Sequence, residues 1–155
     1  MTDLVLDNLI IEEATLKDLH QIYLIEKENF KFPWDKNFIY FNFQLSKNIR
    51  RFYVARLEDI VIGYVVCGLS DRLAHIYNIS VKKEYQNKGV GSKLLKYLLD
   101  DLILSGIETV ILEVRLSNIR AVSFYRKFGF NEFKIKKSFY PDKEDALIMV
   151  KNFKK

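Results

Sequence analysis

The sequence predicts an α/β (α+β) fold with about seven strands and about four helices in the order βααβββαβαββ. Three observations carry that prediction. Short apolar runs rich in β-branched and aromatic residues follow one another between positions 52 and 81, separated by turn residues. From Val90 the apolar spacing switches to three and four residues, the period of a helix. Pro33, Gly106 and Gly129 then punctuate the chain where one pattern gives way to the next.

The elements follow in order. Leu9-Ile10-Ile11-Glu12-Glu13-Ala14 reads as a first strand, and Thr15 is placed to N-cap a helix from Leu16 towards Phe30, with Leu19, Ile22, Tyr23 and Ile25 on one side. Phe32-Pro33-Trp34-Asp35 interrupts, and a second helix covers Lys36 to Leu45. Phe52–Ala55, Val61–Cys67 and Ala74–Val81 form an antiparallel meander with turns at Glu58-Asp59 and Ser70-Asp71. The next helix carries Val90, Leu94, Leu95, Leu98 and Leu102 on its apolar side, with Lys93, Lys96, Asp100 and Asp101 on its wet side. Gly106 stops it. Thr109–Val114 is a fifth strand, Asn118 caps a helix over Ile119–Phe128, Gly129 ends that helix, and two strands near Phe133–Ile135 and Leu147–Val150 close the chain. With no repeat, low-complexity tract or linker, residues 1–155 are expected to form a single domain.

Composition narrows the function classes. The longest nearly apolar run, Ile60–Leu69, is broken by Gly63 and falls well short of the roughly 20 residues a membrane helix needs, so no membrane association is expected. The opening MTDLVLDNL carries acids rather than a basic segment and apolar core, so no secretory signal is read. A lone cysteine, Cys67, excludes an internal disulfide, making the cytoplasm the expected compartment and an inert core position the expected role of the thiol. The net charge of +5 comes from dispersed lysines plus a short KNFKK tail, which suggests an anionic ligand. Those lysines are not interleaved with aromatics as in an RNA-reading motif, so a basic ribosome- or RNA-binding module is the disfavoured alternative and no direct nucleic-acid contact is expected.

Residues 85–95, YQNKGVGSKLL, lie at a strand-to-helix junction. The free amides and positive dipole end of such a helix suit a phosphate, and Gly89 and Gly91 let an anion approach the main chain. A tight turn into the helix explains the same glycines equally well. The run lacks the third glycine of a dinucleotide fingerprint, and no GxxxxGK[ST] spacing exists.

Gln86-Asn87-Lys88-Gly89-Val90-Gly91 resembles the [Q/R]-x-x-G-x-[G/A] pyrophosphate loop of the GNAT acyltransferase superfamily. His75–Val81 resembles that family's fourth strand, and Leu112-Glu113-Val114-Arg115-Leu116-Ser117-Asn118 with Phe124-Tyr125-Arg126-Lys127-Phe128-Gly129-Phe130 resembles its later motifs. Phe32-Pro33-Trp34, and Tyr140-Pro141 followed by Glu144–Met149, are similar to the branch that acetylates protein N-termini, typified by ribosomal-protein alanine acetyltransferases. The resemblance spans nearly all of residues 9–150. It implies the GNAT fold, a mixed, mostly antiparallel central sheet flanked by helices. It also implies acetyl-CoA as the acetyl donor, no metal, and direct transfer to the α-amine of a protein or peptide N-terminus, ribosomal proteins among the candidates. A small amine or a lysine side chain is the alternative acceptor, and monomer and homodimer are both open.

The same resemblance assigns residues. The diphosphate would sit on the amides of Asn87, Lys88, Gly89, Val90, Gly91 and Ser92 with Gln86 beside it, and the pantetheine arm would run along Ile79, Ser80 and Val81, with Asn118 both capping its helix and touching that arm. Gln86 stands where many members have arginine. Glu113 is the implied base; its structural alternative is a carboxylate answering Arg115 two residues along. His75 is the other conceivable base, although a lone histidine within a strand is more often structural. Tyr125 is the implied acid facing the sulfur, against the alternative of a core aromatic beside Phe124 and Phe128. Phe32, Pro33, Trp34 and Tyr140, with Phe139, are the implied walls of the acceptor site, or ordinary loop packing.

Overall fold

In a computed structural model, residues 7–153 are described; the first six residues and the last two lysines of the basic tail lie outside the described residues. The meander forms the middle of the molecule. β2 (Arg50–Leu57), β3 (Ile60–Ser70) and β4 (Leu73–Val81) pair antiparallel. The first turn falls at Glu58-Asp59 as expected and the second one residue later than expected, at Asp71-Arg72, with Glu58 and Asp71 at positive φ of 55° and 58°. β1 (Leu9–Glu13) adds to the outer edge of β2, while β5 (Thr109–Arg115), β6 (Asn131–Lys136) and β7 (Ala146–Asn152) complete a seven-stranded sheet of order β1-β2-β3-β4-β5-β7-β6. Only the β4–β5 pair is parallel.

That parallel pair is short. It runs from Leu73 opposite Thr109 to Ile76 opposite Leu112 and then stops, although both strands continue. A bulge explains the parting. Asn78 lies opposite Val66 and Ile76 opposite Cys67, so Tyr77 is an extra residue on β4, which bends the strand away from β5. From Tyr77 to Val81, the β5-facing edge of β4 has no strand partner among the described residues.

Alternation along the sheet sends side chains into two cores. On one face α1 (Leu19–Asn29) and α2 (Lys36–Phe43) cover Val54, Tyr64 and Val66; on the other α3 (Val90–Leu104) and α4 (Ile119–Lys127) cover Val65, Leu112, Phe130 and Met149. α3 buries Val90, Leu94, Leu95, Leu98 and Leu102 as the spacing predicts, and Leu99 as well. Each such leucine contributes roughly 1.5–3 kcal/mol by leaving water.

Helix boundaries differ in detail from the sequence reading. α1 begins at Leu19, because a 3₁₀ turn over Leu16–Asp18 precedes it. Asp18 accepts from the Thr15 N–H at 2.8 Å while its carboxylate also takes both guanidinium nitrogens of Arg56 at 2.9 Å, pinning that turn to β2. α2 ends at Phe43, two residues early. Among the described residues, no helix is long and apolar enough to cross a membrane.

Candidate active site

The loop before α3 has the form an anion cradle requires. Asn87 and Gly89 both take positive φ, 64° and 86°, turning the chain sharply into the helix. A Cβ built on Gly89 would meet nothing within 4 Å, so this glycine faces open space rather than its own protein. One on Gly91 would make only ordinary contacts, 3.7 Å to Phe124 and 3.8 Å to Val81. Among the described residues, no acceptor takes the N–H groups of Asn87 to Ser92, and the first main-chain bond of the helix is Lys93 N–H to Gly89 at 3.1 Å. These free donors at a helix start fit the diphosphate of CoA.

Individual side chains of the cradle do different things. Gln86 folds back along the loop, its Nε2 donating to the Val81 carbonyl at 2.8 Å, and Asn87 Oδ1 accepts from Arg120 of α4. Val90 is fully buried in the core and offers only its amide, while Ser92 is exposed and Lys88 half-buried. On β4, Asn29 of α1 donates to Ser80 Oγ at 2.6 Å and to the Val81 carbonyl at 2.7 Å. The Ser80 hydroxyl and the Val81 carbonyl are therefore already taken by side chains of the protein, and Ile79 on the open strand edge is the part of β4 left to address a ligand.

Where β4 and β5 part, a cavity of about 690 Å³ crosses the sheet. Glu113 enters it from the α1–α2 face of β5, and Tyr125 enters it from α4 on the opposite face. Two side chains on opposite sides of a closed sheet could not share one cavity; the bulge at Tyr77 makes it possible. Ile79 and Asn118 line the same space, and the Asn118 side chain also caps α4 by accepting from the Ala121 N–H at 3.1 Å.

Glu113 does not answer Arg115. Its Oε1 lies 2.7 Å from His75 Nε2, and both side chains keep some exposure to the cavity. The parallel register that places His75 opposite Ile111 brings Glu113, two residues further on, beside the imidazole. Arg115 instead bonds Asp142 at 3.0 Å and Glu144 at 2.7 Å in the loop between β6 and β7, and its guanidinium stacks 4.2 Å over the Tyr140 ring. Tyr140 and Phe139 are thereby held against the cavity. Burial pushes the Tyr140 phenol up to about 12, with Arg115 opposing and Glu113 and Glu144 adding to the rise. Burial, with a smaller contribution from Tyr140, also pushes the Tyr125 phenol far up. The Tyr125 hydroxyl makes no hydrogen bond to the described residues, and none of their buried polar side-chain atoms lacks a partner, so it opens on the cavity as a protonated donor. Cys67 is wholly buried and raised to about 12 by that burial, leaving it no nucleophilic role.

The opposite wall is the α1–α2 loop. Phe32 is exposed and Trp34 half-buried; both line the cavity, whereas Pro33 sits between them without doing so. The Trp34 ring packs edge-on to Phe38 at 4.9 Å and near Tyr77 at 6.2 Å, so its packing and its cavity face coexist. Lys31 of this loop reaches Asp142 of the β6–β7 loop at 3.2 Å, bridging the two walls. The sequence reading gave no site role to Tyr77, Asn78, Glu26, Asp142 or Glu144, and weighed His75 as a base only behind a structural part. Glu26 had a signal: it follows Leu19 and Ile22 at spacing three and four, a charge on an apolar stripe.

An open amide cradle, an unpaired strand edge and a cavity shared by a carboxylate and a phenol define an acyltransferase that works on a CoA thioester. The chain belongs to the acetyltransferase (GNAT) family, which it matches over residues 15–130. It is 39% identical over 149 residues to the ribosomal protein bS18-alanine N-acetyltransferase of Escherichia coli, covering 90% of this chain and 94% of that one. An N-alpha-acetyltransferase of Sulfolobus acidocaldarius is 37% identical over 155 residues, covering 92% and 91%. The crystal structure of the E. coli ribosomal-protein-S18-alanine enzyme superposes with a TM-score of 0.87 at 31% identity, covering 95% of each chain. Arabidopsis thaliana Naa50, bound to a CoA-peptide bisubstrate analogue, shares the fold with a TM-score of 0.82 at 22% identity over 94% of this chain and 99% of that one.

Proposed function

We propose that this chain acetylates the α-amine of protein N-termini, ribosomal proteins included, in the cytoplasm. One observation carries the proposal: Glu113 and Tyr125 approach from opposite faces of the sheet and meet in one cavity where β4 and β5 separate. The names of the E. coli and Sulfolobus relatives support the acceptor class. Acetyl-CoA supplies an activated acetyl carbon when bound.

The chain's residues divide the remaining work. The amides of the cradle, Asn87 to Ser92, hold the diphosphate, and the edge of β4 along Ile79–Val81, open at Ile79, aligns the arm that leads into the cavity. Glu113, oriented by His75, takes the proton of the acceptor amine and frees its lone pair to attack the acetyl carbon. An α-amine, ordinarily near 7.7–8.0, gives up that proton far more readily than a lysine near 10.4. As the new C–N bond forms, main-chain N–H groups around Ile79 meet the carbonyl oxygen while negative charge builds there. As the C–S bond breaks, Tyr125 donates to the sulfur that takes the electron pair. A phenol is an unfavourable full proton donor to a thiolate, so hydrogen bonding is its main contribution. Phe32, Trp34, Phe139 and Tyr140 confine an extended peptide between the two loops.

The test offers acetyl-CoA with four acceptor classes: peptides with free N-termini, N-blocked peptides bearing lysine, polyamines and amino sugars. Turnover confined to free N-termini is expected. Turnover only on lysine or small amines, or none on any acceptor, overturns the proposal.

A further inference from the structure

Glu26 is 2% exposed in the middle of the α1–α2 core, yet it also touches the wall of the cavity. Burying a carboxylate in such a place is expensive unless donors surround it. Three do: the Tyr64 hydroxyl and Asn78 Nδ2 (2.8 Å) donate to Oε1, and the Trp34 N–H donates to Oε2 at 2.9 Å. Trp34 N–H has no other acceptor among the described residues. Asn78 follows the bulge residue Tyr77, where β4 leaves β5. An apolar side chain would fill the stripe of Leu19 and Ile22 equally well but could not join these groups.

We infer that Glu26 is a positioning residue of the acceptor site, tying the main chain of the α1–α2 loop at Trp34 to the bulged end of β4. Its one carboxylate sets the spacing between the loop that grips the acceptor and the strand edge where transfer takes place. This rests on the proposed acceptor site, because the loop is read as facing the peptide. Glu26→Gln keeps the shape and leaves an acceptor for Tyr64 and Asn78, but turns an N–H₂ towards the Trp34 N–H. Tyr64→Phe removes a donor from Oε1 and leaves the Trp34 tether in place.

The experiment measures peptide and acetyl-CoA kinetics for both variants, with thermal unfolding and the emission of Trp34, the one tryptophan of the sequence. In Glu26→Gln, the peptide KM should rise on the order of tenfold with kcat and acetyl-CoA KM within about threefold of wild type, and Trp34 emission should shift to the red. Tyr64→Phe should leave peptide KM near wild type. A merely structural Glu26 would instead lower the melting temperature in both variants without separating the two KM values. An unchanged peptide KM in Glu26→Gln, or an equal rise in acetyl-CoA KM, overturns the inference. Should Glu26→Gln fail to fold, hydrogen exchange at the Trp34 amide of the wild type decides: protection supports the tether and rapid exchange overturns it. If the wild type acetylates no peptide, the proposed acceptor fails, while Trp34 exchange and emission still decide whether Glu26 holds the loop.

Discussion

Gly89 separates what the protein needs for itself from what it needs for its ligand. Its φ of 86° lies in the left-handed region, which disfavours any residue with a Cβ by roughly 1–2 kcal/mol. In a chain of 155 residues that corresponds to a fall in Tm of about 2–8 °C. Nothing within 4 Å would obstruct the added atom, so Gly89→Ala and Gly89→Glu should lose similar stability and both should fold. Their effects on CoA should diverge. A glutamate carboxylate placed about 4 Å from a diphosphate charge opposes binding by about 4 kcal/mol at an effective dielectric of 20, roughly a thousandfold in affinity. Alanine adds bulk without charge and should weaken CoA much less. Calorimetric titration with CoA, beside thermal unfolding of the same samples, reads both quantities. If Gly89→Glu lowers Tm as expected but binds CoA within about threefold of wild type, the glycine serves only the turn and the cradle is misassigned.

Three further outcomes are expected. Glu113→Gln should lower kcat/KM for peptide by roughly a hundredfold near pH 6.5, where the α-amine is mostly protonated, and by less at pH 9, with CoA affinity retained. Parallel pH–rate profiles would remove Glu113 from proton transfer. Tyr125→Phe removes one hydrogen bond to a developing charge and should slow single-turnover acetyl transfer by about 10- to 100-fold; an unaltered rate returns the ring to a packing role. Arg56→Met strands the Asp18 carboxylate, whose side chain is 4% exposed, and should destabilise the fold by about 3 kcal/mol in urea titrations near pH 7. Burial raises the Asp18 carboxyl, but Arg56 and Thr15 outweigh it and lower the value overall. The stabilisation is therefore present above the unfolded carboxyl range and lost as pH falls through the folded value. Arg56→Met should flatten that acid limb, and an unchanged limb would contradict the assigned pairing.

Much of this arrangement was legible because it is local. The strand meander, the leucine stripe of α3 and the Asn118 cap depend on neighbours within a few residues, and the structure places each where periodicity did. The loop before α3 was legible as a pattern of missing side chains, which an anion cradle and a tight turn explain alike, although Gln86 bonds back to Val81, which no motif reveals. What escaped depends on distant register. His75 meets Glu113 only because β4 and β5 pair in parallel with His75 opposite Ile111, a relation carried by α3 rather than by either strand. Arg115 shares a face with Glu113, and their spacing offered a pairing as the alternative to a catalytic Glu113, but Asp142 and Glu144 take Arg115 once the β6–β7 loop folds back. The bulge at Tyr77, which opens the gap between β4 and β5, leaves only a slight trace in the sequence: the apolar positions of β4 change phase from Ala74 and Ile76 to Ile79 and Val81. Helix starts shifted for a related reason, since Asp18 serves Arg56 as well as Thr15.

A single peptide carrying both a free α-amine and an internal lysine tests the central claim most directly. After incubation with acetyl-CoA and the purified protein, fragmentation mass spectrometry locates the added acetyl group. The geometry around Glu113 and Tyr125 predicts acetyl on the N-terminal nitrogen and an unmodified lysine. Acetyl on the lysine alone, or an unmodified peptide with intact acetyl-CoA, would contradict it.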